Sequence, residues 1–345
     1  MNRLLPVRVI ILAALVLPMT LFSASLEATL QPIYECSLPD MGIDSGSGAF
    51  GFKRARLALV TENAAAGFAY DAEIKVDFTE SGTPYFLNTC FIDATLKKQI
   101  KVKIGRFKVP FGMEVLTGPA KLAFVDRSRS SGMVKDAQMA GYQDGLMVHG
   151  KLPFKTSYGI GIFNNRANLV SGYNLLELAA ARVRWKPLKI LAAEYAIAYS
   201  DIERVPGQEY QAVFNNAGLT HEPVAWYKGR YEALWGSDSI ARYVSGVDPL
   251  RYALVTDQVF SRNAGPYVVR FALGIELISR PDNSRDVALR QGIDFIVNKE
   301  LQIRLNHSNG YTTSLRTLED DSFMLSVLFQ PCIDLGGKTS AGEEE

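Results

Sequence analysis

From residue 50 onward the apolar residues recur with period two. The run Phe68, Tyr70, Ala72, Ile74, Val76, Phe78 alternates with Ala69, Asp71, Glu73, Lys75 and Asp77, which describes a strand with one apolar and one charged face. Similar stretches of about ten residues fall at Phe50–Val60, Tyr85–Leu96, Ile100–Lys108, Gln143–Leu152, Thr156–Asn164, Asn174–Lys186 and Lys189–Ser200. Others follow at Val224–Trp235, Leu250–Phe260, Tyr267–Ser279, Val287–Val297, Leu301–Ser308 and Ser322–Gln330. With two weaker stretches, Ala28–Cys36 and Glu209–Phe214, the pattern gives about 16 strands.

Turn signals such as Glu80-Ser81-Gly82-Thr83-Pro84, Lys186-Pro187 and Arg280-Pro281-Asp282-Asn283 separate them, so neighbours are expected to be antiparallel. A soluble sandwich would turn the apolar face inward; a transmembrane barrel would turn it toward lipid. Period alone leaves both open. The strand length, which matches a tilted bilayer crossing, favours the barrel. So do tyrosines and tryptophans placed to form interfacial girdles (Trp185, Tyr195, Tyr199, Tyr227, Tyr231 and Trp235) and a last strand ending in Phe329. The expected fold is all-β, a transmembrane antiparallel β-barrel of about 16 strands.

Length and composition then set limits. The chain has 345 residues, with 37 Lys plus Arg against 36 Asp plus Glu, and this balance gives no reason to expect nucleic acid as a partner. A mean hydropathy of +0.03 excludes a bundle of membrane-spanning helices. Residues 1–25 have the charged start, short apolar run and small-residue end of a secretory signal peptide, with cleavage expected after Ser25. Residues 26–49 form an N-terminal segment able to hold a first strand, 50–330 the barrel and 331–345 a polar tail. Cys36, Cys90 and Cys332 do not make a disulfide scaffold, although Cys36 and Cys332 could meet if the chain ends do.

The alternate, lumen-facing positions include Arg54, Arg56, Lys75, Lys101, Lys103, Lys151, Arg182, Arg184, Lys228, Arg230, Arg270, Arg290 and Arg304. Fewer carboxylates share that face, among them Asp71, Glu73, Asp77, Asp93, Glu194, Glu232, Glu276 and Asp294. A cationic lumen focuses potential and favours anions, unless these groups merely pair across strands and brace the wall. Val109–Tyr142 lacks clean alternation and holds Lys121, Arg127, Arg129 and Lys135; a connection this long in a barrel could fold inward as a constriction.

Phe52-Lys53-Arg54-Ala55-Arg56-Leu57, the strand ending Val76-Asp77-Phe78, Gly105-Arg106-Phe107-Lys108-Val109-Pro110-Phe111-Gly112-Met113-Glu114 and Phe124-Val125-Asp126-Arg127-Ser128 together resemble the phosphate-selective porin O and P family. Gly292–Asn298 with Leu301–His307 is similar to its penultimate hairpin. The resemblance implies a 16-stranded outer-membrane barrel, usually a homotrimer, with an inward-folded loop after the strand carrying Gly-Arg-Phe. It also implies that Lys53 and Arg54 match a basic pair of the pore's cationic ladder and that Arg127 matches an arginine of the constriction. Val115 stands where phosphate-binding members carry a lysine, and Ile92 where they carry an aspartate, so general anion permeation is the more secure implication.

The reading is an outer-membrane channel for passive diffusion of small hydrophilic solutes, preferring anions, with phosphate-like anions among them. Its selectivity residues are Lys53, Arg54, Arg56, Lys101, Lys103, Lys121, Arg127 and Arg129. Its partners are small anions and other small solutes, outer-membrane lipid and further copies of itself. No cofactor is expected, and the histidines His149, His221 and His307 are too scattered for a metal site or a catalytic group. Asn306-His307-Ser308 is the one tempting cluster, but adjacent strand residues face opposite ways. The alternative is a non-conducting structural or adhesive barrel whose lumen is filled by paired charges.

Overall fold

The computed structural model describes residues 24–37, 48–65, 68–79, 87–97, 99–137, 139–164, 177–205, 208–238, 250–279, 285–298, 300–312 and 317–334. The signal-peptide assignment lies outside them except at Ala24 and Ser25, and so does the tail beyond Asp334. The first eight strands are β1 (Ala24–Ser37), β2 (Gly48–Ala65), β3 (Phe68–Asp77), β4 (Leu87–Lys97), β5 (Ile100–Lys108), β6 (Tyr142–Leu152), β7 (Thr156–Phe163) and β8 (Leu178–Leu188). Then come β9 (Leu191–Val205), β10 (Gln208–Val224), β11 (Tyr227–Asp238), β12 (Leu250–Ala264), β13 (Tyr267–Ser279), β14 (Arg285–Ile296), β15 (Leu301–Thr312) and β16 (Thr317–Phe329). A three-residue β17 (Cys332–Asp334) follows.

From β1 to β16 all are antiparallel, each to the next, and β1 closes the sheet by pairing with β2 on one side and β16 on the other, with Leu30 opposite Phe329. Closure leaves no strand edge to lipid, where an unpaired N–H or C=O could find no water. The two weaker stretches of the sequence become β1 and β10, both longer than the pattern suggested. The barrel also runs past residue 330, since Cys332–Asp334 pair with Ser25–Glu27. Cys36 and Cys332 are therefore unbridged, held toward opposite ends of β1. Connections at the end carrying both termini span four residues or fewer, the mark of a periplasmic rim; Lys108 and Tyr142 flank the long connection at the other end.

Outward positions carry exposed aliphatic and aromatic side chains such as Ile104, Leu146, Ile160, Phe271, Ile275 and Leu305. Trp185, Tyr195, Tyr199, Tyr231 and Trp235 stand on the same outer surface, as a lipid-facing wall with interfacial aromatics requires. In β2 the alternation is interrupted once. Gln31 faces Arg54, but Pro32 faces Phe52, so Lys53 is the extra residue of a β-bulge. Pro32 has no N–H to give the ladder, and a bulge opposite it loses little. The extra residue changes the parity: Phe50 and Phe52 are exposed, while Arg54 and Ala58 are buried within the wall.

The 109–141 connection contains α1 (Met113–Leu116), a single 3₁₀ turn (Pro119–Lys121) and α2 (Arg129–Asp136), the last capped by Ser128, whose hydroxyl accepts from Ser131 N. Its apolar side chains Val109, Phe111, Val115, Val134 and Met139 pack with Phe163, Leu178, Ala180, Ala196, Ala198, Phe214 and Leu234 from β7 to β11. Alanines at those inward positions leave the volume that the loop fills. The barrel thus has a hydrophobic core inside one half of its wall.

Candidate functional site

The loop is fastened mostly through its backbone. Glu232 of β11 accepts hydrogen bonds from Met113 N (2.7 Å) and Glu114 N (3.2 Å) at the start of α1. Glu276 of β13 accepts from Arg129 N (3.0 Å) and Ser130 N (2.6 Å) at the start of α2. Wall carboxylates so placed satisfy N–H groups that a helix start leaves without partners. Arg304 of β15 donates to Pro119 O and Leu122 O, and Asn306 accepts from Val125 N. Phe124 fits where β13 and β14 carry Gly274 and Gly292: a Cβ on Gly274 would come within 2.8 Å of its ring.

One loop side chain completes the attachment. Glu114, 2% exposed, receives Arg230 Nη2 at 3.0 Å, Ser128 N at 2.7 Å and Ser131 Oγ at 2.7 Å. Arg230 and Arg290 are shared with Asp257. Burial alone would raise the Glu114 pKa, but the two arginines and the serine hydroxyls outweigh it and hold the carboxyl well below the usual carboxylate range.

With the loop docked on β10–β15, cations gather where it leaves the β2–β5 side. Lys53 pairs with Asp126 of the loop, Arg54 with Gln31, and Arg56 with Asp77. Arg127 donates to the carbonyls of Glu114 (3.2 Å) and Thr117 (3.0 Å), and its charge acts on Arg54. Lys135 lies within the fields of Arg127, Arg54 and Lys53; burial, then those neighbours, lower its pKa. Below the loop, toward the turn end, lie two lobes of about 1000 and 580 Å³, meeting at Leu116, Gly118, Arg182 and Arg184. Twelve of the side chains lining them are lysine or arginine and five are aspartate or glutamate, so the space they enclose is electropositive.

The structure brings Lys53, Arg54, Arg56 and Arg127 into one cluster and sets Lys101 and Lys103 in the larger lobe. Lys101 there pairs with Asp71, and Lys103 pairs with Asp93 while lying 4.0 Å from the Phe91 ring centre. Two of the selectivity residues fall elsewhere: Lys121 lines the smaller lobe, and Arg129 approaches Asp286 at 3.9 Å, where it serves loop attachment. Sequence reasoning missed Lys108 as a site residue, although it lies within the most distinctive motif. It also missed the anchoring role of Glu114, Glu232 and Glu276. The histidines stay apart: His149 bonds Asp93, while His307 stacks on Phe323 and its neighbour Asn306 holds the loop.

The model of the family described as phosphate-selective porin O and P matches residues 34–196. No curated protein sequence matches this one. Among solved structures, the anion-selective porin from Comamonas acidovorans superposes with a TM-score of 0.61 at 10% identity, covering 90% of this chain and 99% of that one. OmpT of Vibrio cholerae in a trimer form gives 0.61 at 9% identity, covering 89% and 99%. Salmonella typhi OmpF, in complex with daunomycin, gives 0.62 at 9% identity, covering 89% and 97%. At these identities the likeness to the solved structures is one of fold. The family match falls on residues 34–196, a little under half of the chain, and with the closed barrel of sixteen long strands it gives this chain the fold of an outer-membrane porin, similar over that part to the phosphate-selective porin O and P family.

Proposed function

We propose that the barrel is a passive diffusion channel for small hydrophilic solutes, that it prefers anions, and that it works without covalent chemistry or cofactor. The observation carrying this reading is the charge of the space beneath the loop, where lysines and arginines outnumber carboxylates twelve to five. In a narrow passage with low-dielectric walls such an excess raises the local anion concentration. The name of the Comamonas acidovorans porin agrees with that direction. Tight phosphate selectivity has less support, because the Val115 side chain is buried in the loop's apolar core.

The test is the reversal potential of the refolded protein in a planar bilayer under a KCl gradient. A potential toward the chloride equilibrium value supports the reading, and a cation-directed one overturns it. One observation favours a second reading, the non-conducting barrel: the loop's core fills the lumen beside β7–β11. Absence of any single-channel current would select it. A homotrimer is proposed by analogy with the trimer form of OmpT, and the mass of the detergent-solubilised protein in sedimentation checks it.

A further inference from the structure

Beside its lysines and arginines, the larger lobe presents Phe91, Pro110 and Met147, apolar surface that a hydrated inorganic ion gains nothing by touching. Part of this surface surrounds a place where β7 has no side chain. Gly159 lines the lobe with bare backbone, and a Cβ there would stand 3.3 Å from Met147 Sδ, 3.7 Å from Pro110 Cβ and 3.8 Å from His149 Cβ. A glycine inside a strand gives up packing and marks a site where another group approaches the backbone closely. Elsewhere in this wall that group is a loop side chain: Met113 and Phe124 occupy the places where a Cβ on Gly218 and on Gly274 would go. At Gly159 nothing comes closer than 3.3 Å, so the notch between the thioether and the proline ring stays open to the lobe.

Two positions nearer the turn end, roughly 7 Å along the strand, Ser157 stands in register between Lys151 of β6 and Arg184 of β8. All three line the same lobe. Arg184 has Glu194 as its register neighbour on β9, but that carboxylate is bonded to Arg182 at 2.6 Å. Among the described residues neither Lys151 nor Arg184 has an ion pair or a side-chain hydrogen bond. Neighbouring strands lie about 4.8 Å apart, so both long side chains reach the space over the Ser157 hydroxyl. Charged donors and an apolar notch thus adjoin on one stretch of β7.

We propose that this stretch is a binding site for aromatic carboxylates of benzoate size. The carboxylate accepts from Lys151, Arg184 and the Ser157 hydroxyl, as charge-assisted hydrogen bonds favour. The ring lies flat on the Gly159 backbone against Pro110 and the Met147 thioether, a sulfur contact that aromatic rings favour. Acetate or an inorganic anion can use the two cations but leaves the notch empty. Passage of such acids rests on the channel reading, but their binding does not.

The experiment is therefore an equilibrium one: saturation-transfer difference NMR of benzoate with the full barrel in detergent micelles, referenced to empty micelles, with acetate and cyclohexanecarboxylate as competitors. Benzoate is expected to bind about tenfold more tightly than acetate, the effect of burying most of one ring face. Gly159→Val fills the notch and should bring benzoate down to the acetate level while leaving acetate unchanged. Lys151→Met/Arg184→Met should weaken both anions. Those two side chains hold nothing in place, so this variant tests the site if Gly159→Val does not fold; unchanged benzoate affinity there overturns the proposal. Benzoate bound no better than acetate, or bound as in wild type by a folded Gly159→Val barrel, overturns it as well. Cyclohexanecarboxylate, whose ring is thicker, should compete poorly; competition equal to that of benzoate would refute the aromatic class. A barrel that binds benzoate at Gly159 but passes no current would keep the site and refute the channel; an anion-selective channel that treats benzoate as acetate would do the reverse.

Discussion

Glu114, in the loop, and Arg230, on β11, are joined at 3.0 Å in the interior of the barrel, 116 positions apart in the chain. The carboxylate crosses the lumen to the far wall, and Arg290 and two serines close around it. The loop's polar anchor and its apolar core both hold it against β7–β15, and the larger lobe beneath it opens toward β2–β8.

Glu114→Ala is expected to loosen the loop without unfolding the barrel. Arg230 and Arg290 keep Asp257, so two buried charges retain one partner, and the loss should be on the order of 3 kcal/mol, confined to loop docking. Single-channel recordings should show larger, noisier currents. Quiet currents of wild-type size would mean that Glu232 and Glu276 suffice to hold the loop.

Acid should act on the same bond. The Glu114 pKa is depressed in the folded protein, so its contribution is fully present above the ordinary carboxylate value of about 4.3 and is lost only as pH falls through the depressed one. Protease cleavage within residues 109–141 should thus stay slow at pH 5 and accelerate in strong acid. Cleavage that rises already near pH 6 would assign the sensitivity to other groups.

Gly274→Val tests the aromatic anchor. The new side chain would occupy the Phe124 ring position, and Phe124 is nearly fully buried. Displacing it should cost about 3 kcal/mol of docking. Hydrogen exchange of the loop amides should quicken while that of β13 is unchanged; protection equal to wild type would show that the notch is not needed.

Arg127→Glu should lower the preference for anions while the strands still fold, since Arg127 bonds only loop carbonyls. Reversing one charge in a partly desolvated passage changes ion energies by roughly 1–2 kcal/mol, about tenfold in the chloride-to-potassium permeability ratio. An unchanged reversal potential would remove this residue from selectivity.

Period two was enough to place the strands because each carries lipid on one face. It weakened where the inner face is shaped for the loop. In β10, Asn216 binds Glu232 and Gly218 makes room for Met113, so the pattern there fades after Phe214. In β1 the obstacle is Gln31-Pro32 opposite the bulge. The cationic cluster was partly legible through Lys53, Arg54, Arg56 and Arg127. Lys135 was legible only as one of the basic residues of the long connection and Lys108 not at all as a site residue, since nothing local marks a lysine that lacks a carboxylate; that is decided by how the loop closes on itself. The wall groups that hold the loop, Glu232, Glu276 and Arg304, looked like any other inward charge.

Lys135 is expected to give the anion preference a pH dependence whose sign is fixed by its environment. The charged groups acting on it are Arg127 and Glu114 from the loop, Lys108 from β5 and Arg54 and Lys53 from β2; burial and the cations outweigh Glu114 and lower its pKa. A lysine so shifted is charged below the lowered value and neutral above it, so its share of anion preference is present at low pH and disappears before the usual lysine value of about 10.4 is reached. The stability linkage runs the same way: the folded state binds this proton less tightly than the unfolded chain, and the barrel gains stability as pH rises between the two values. Inorganic phosphate beside the ammonium would favour the charged form and move the loss of preference to higher pH. Reversal potentials taken from pH 6 to 10, with and without phosphate, should show that shift in wild type. In Lys135→Arg the part of the decline due to this residue should vanish, because a guanidinium stays protonated throughout; an identical decline in that variant would assign the titration to another lysine.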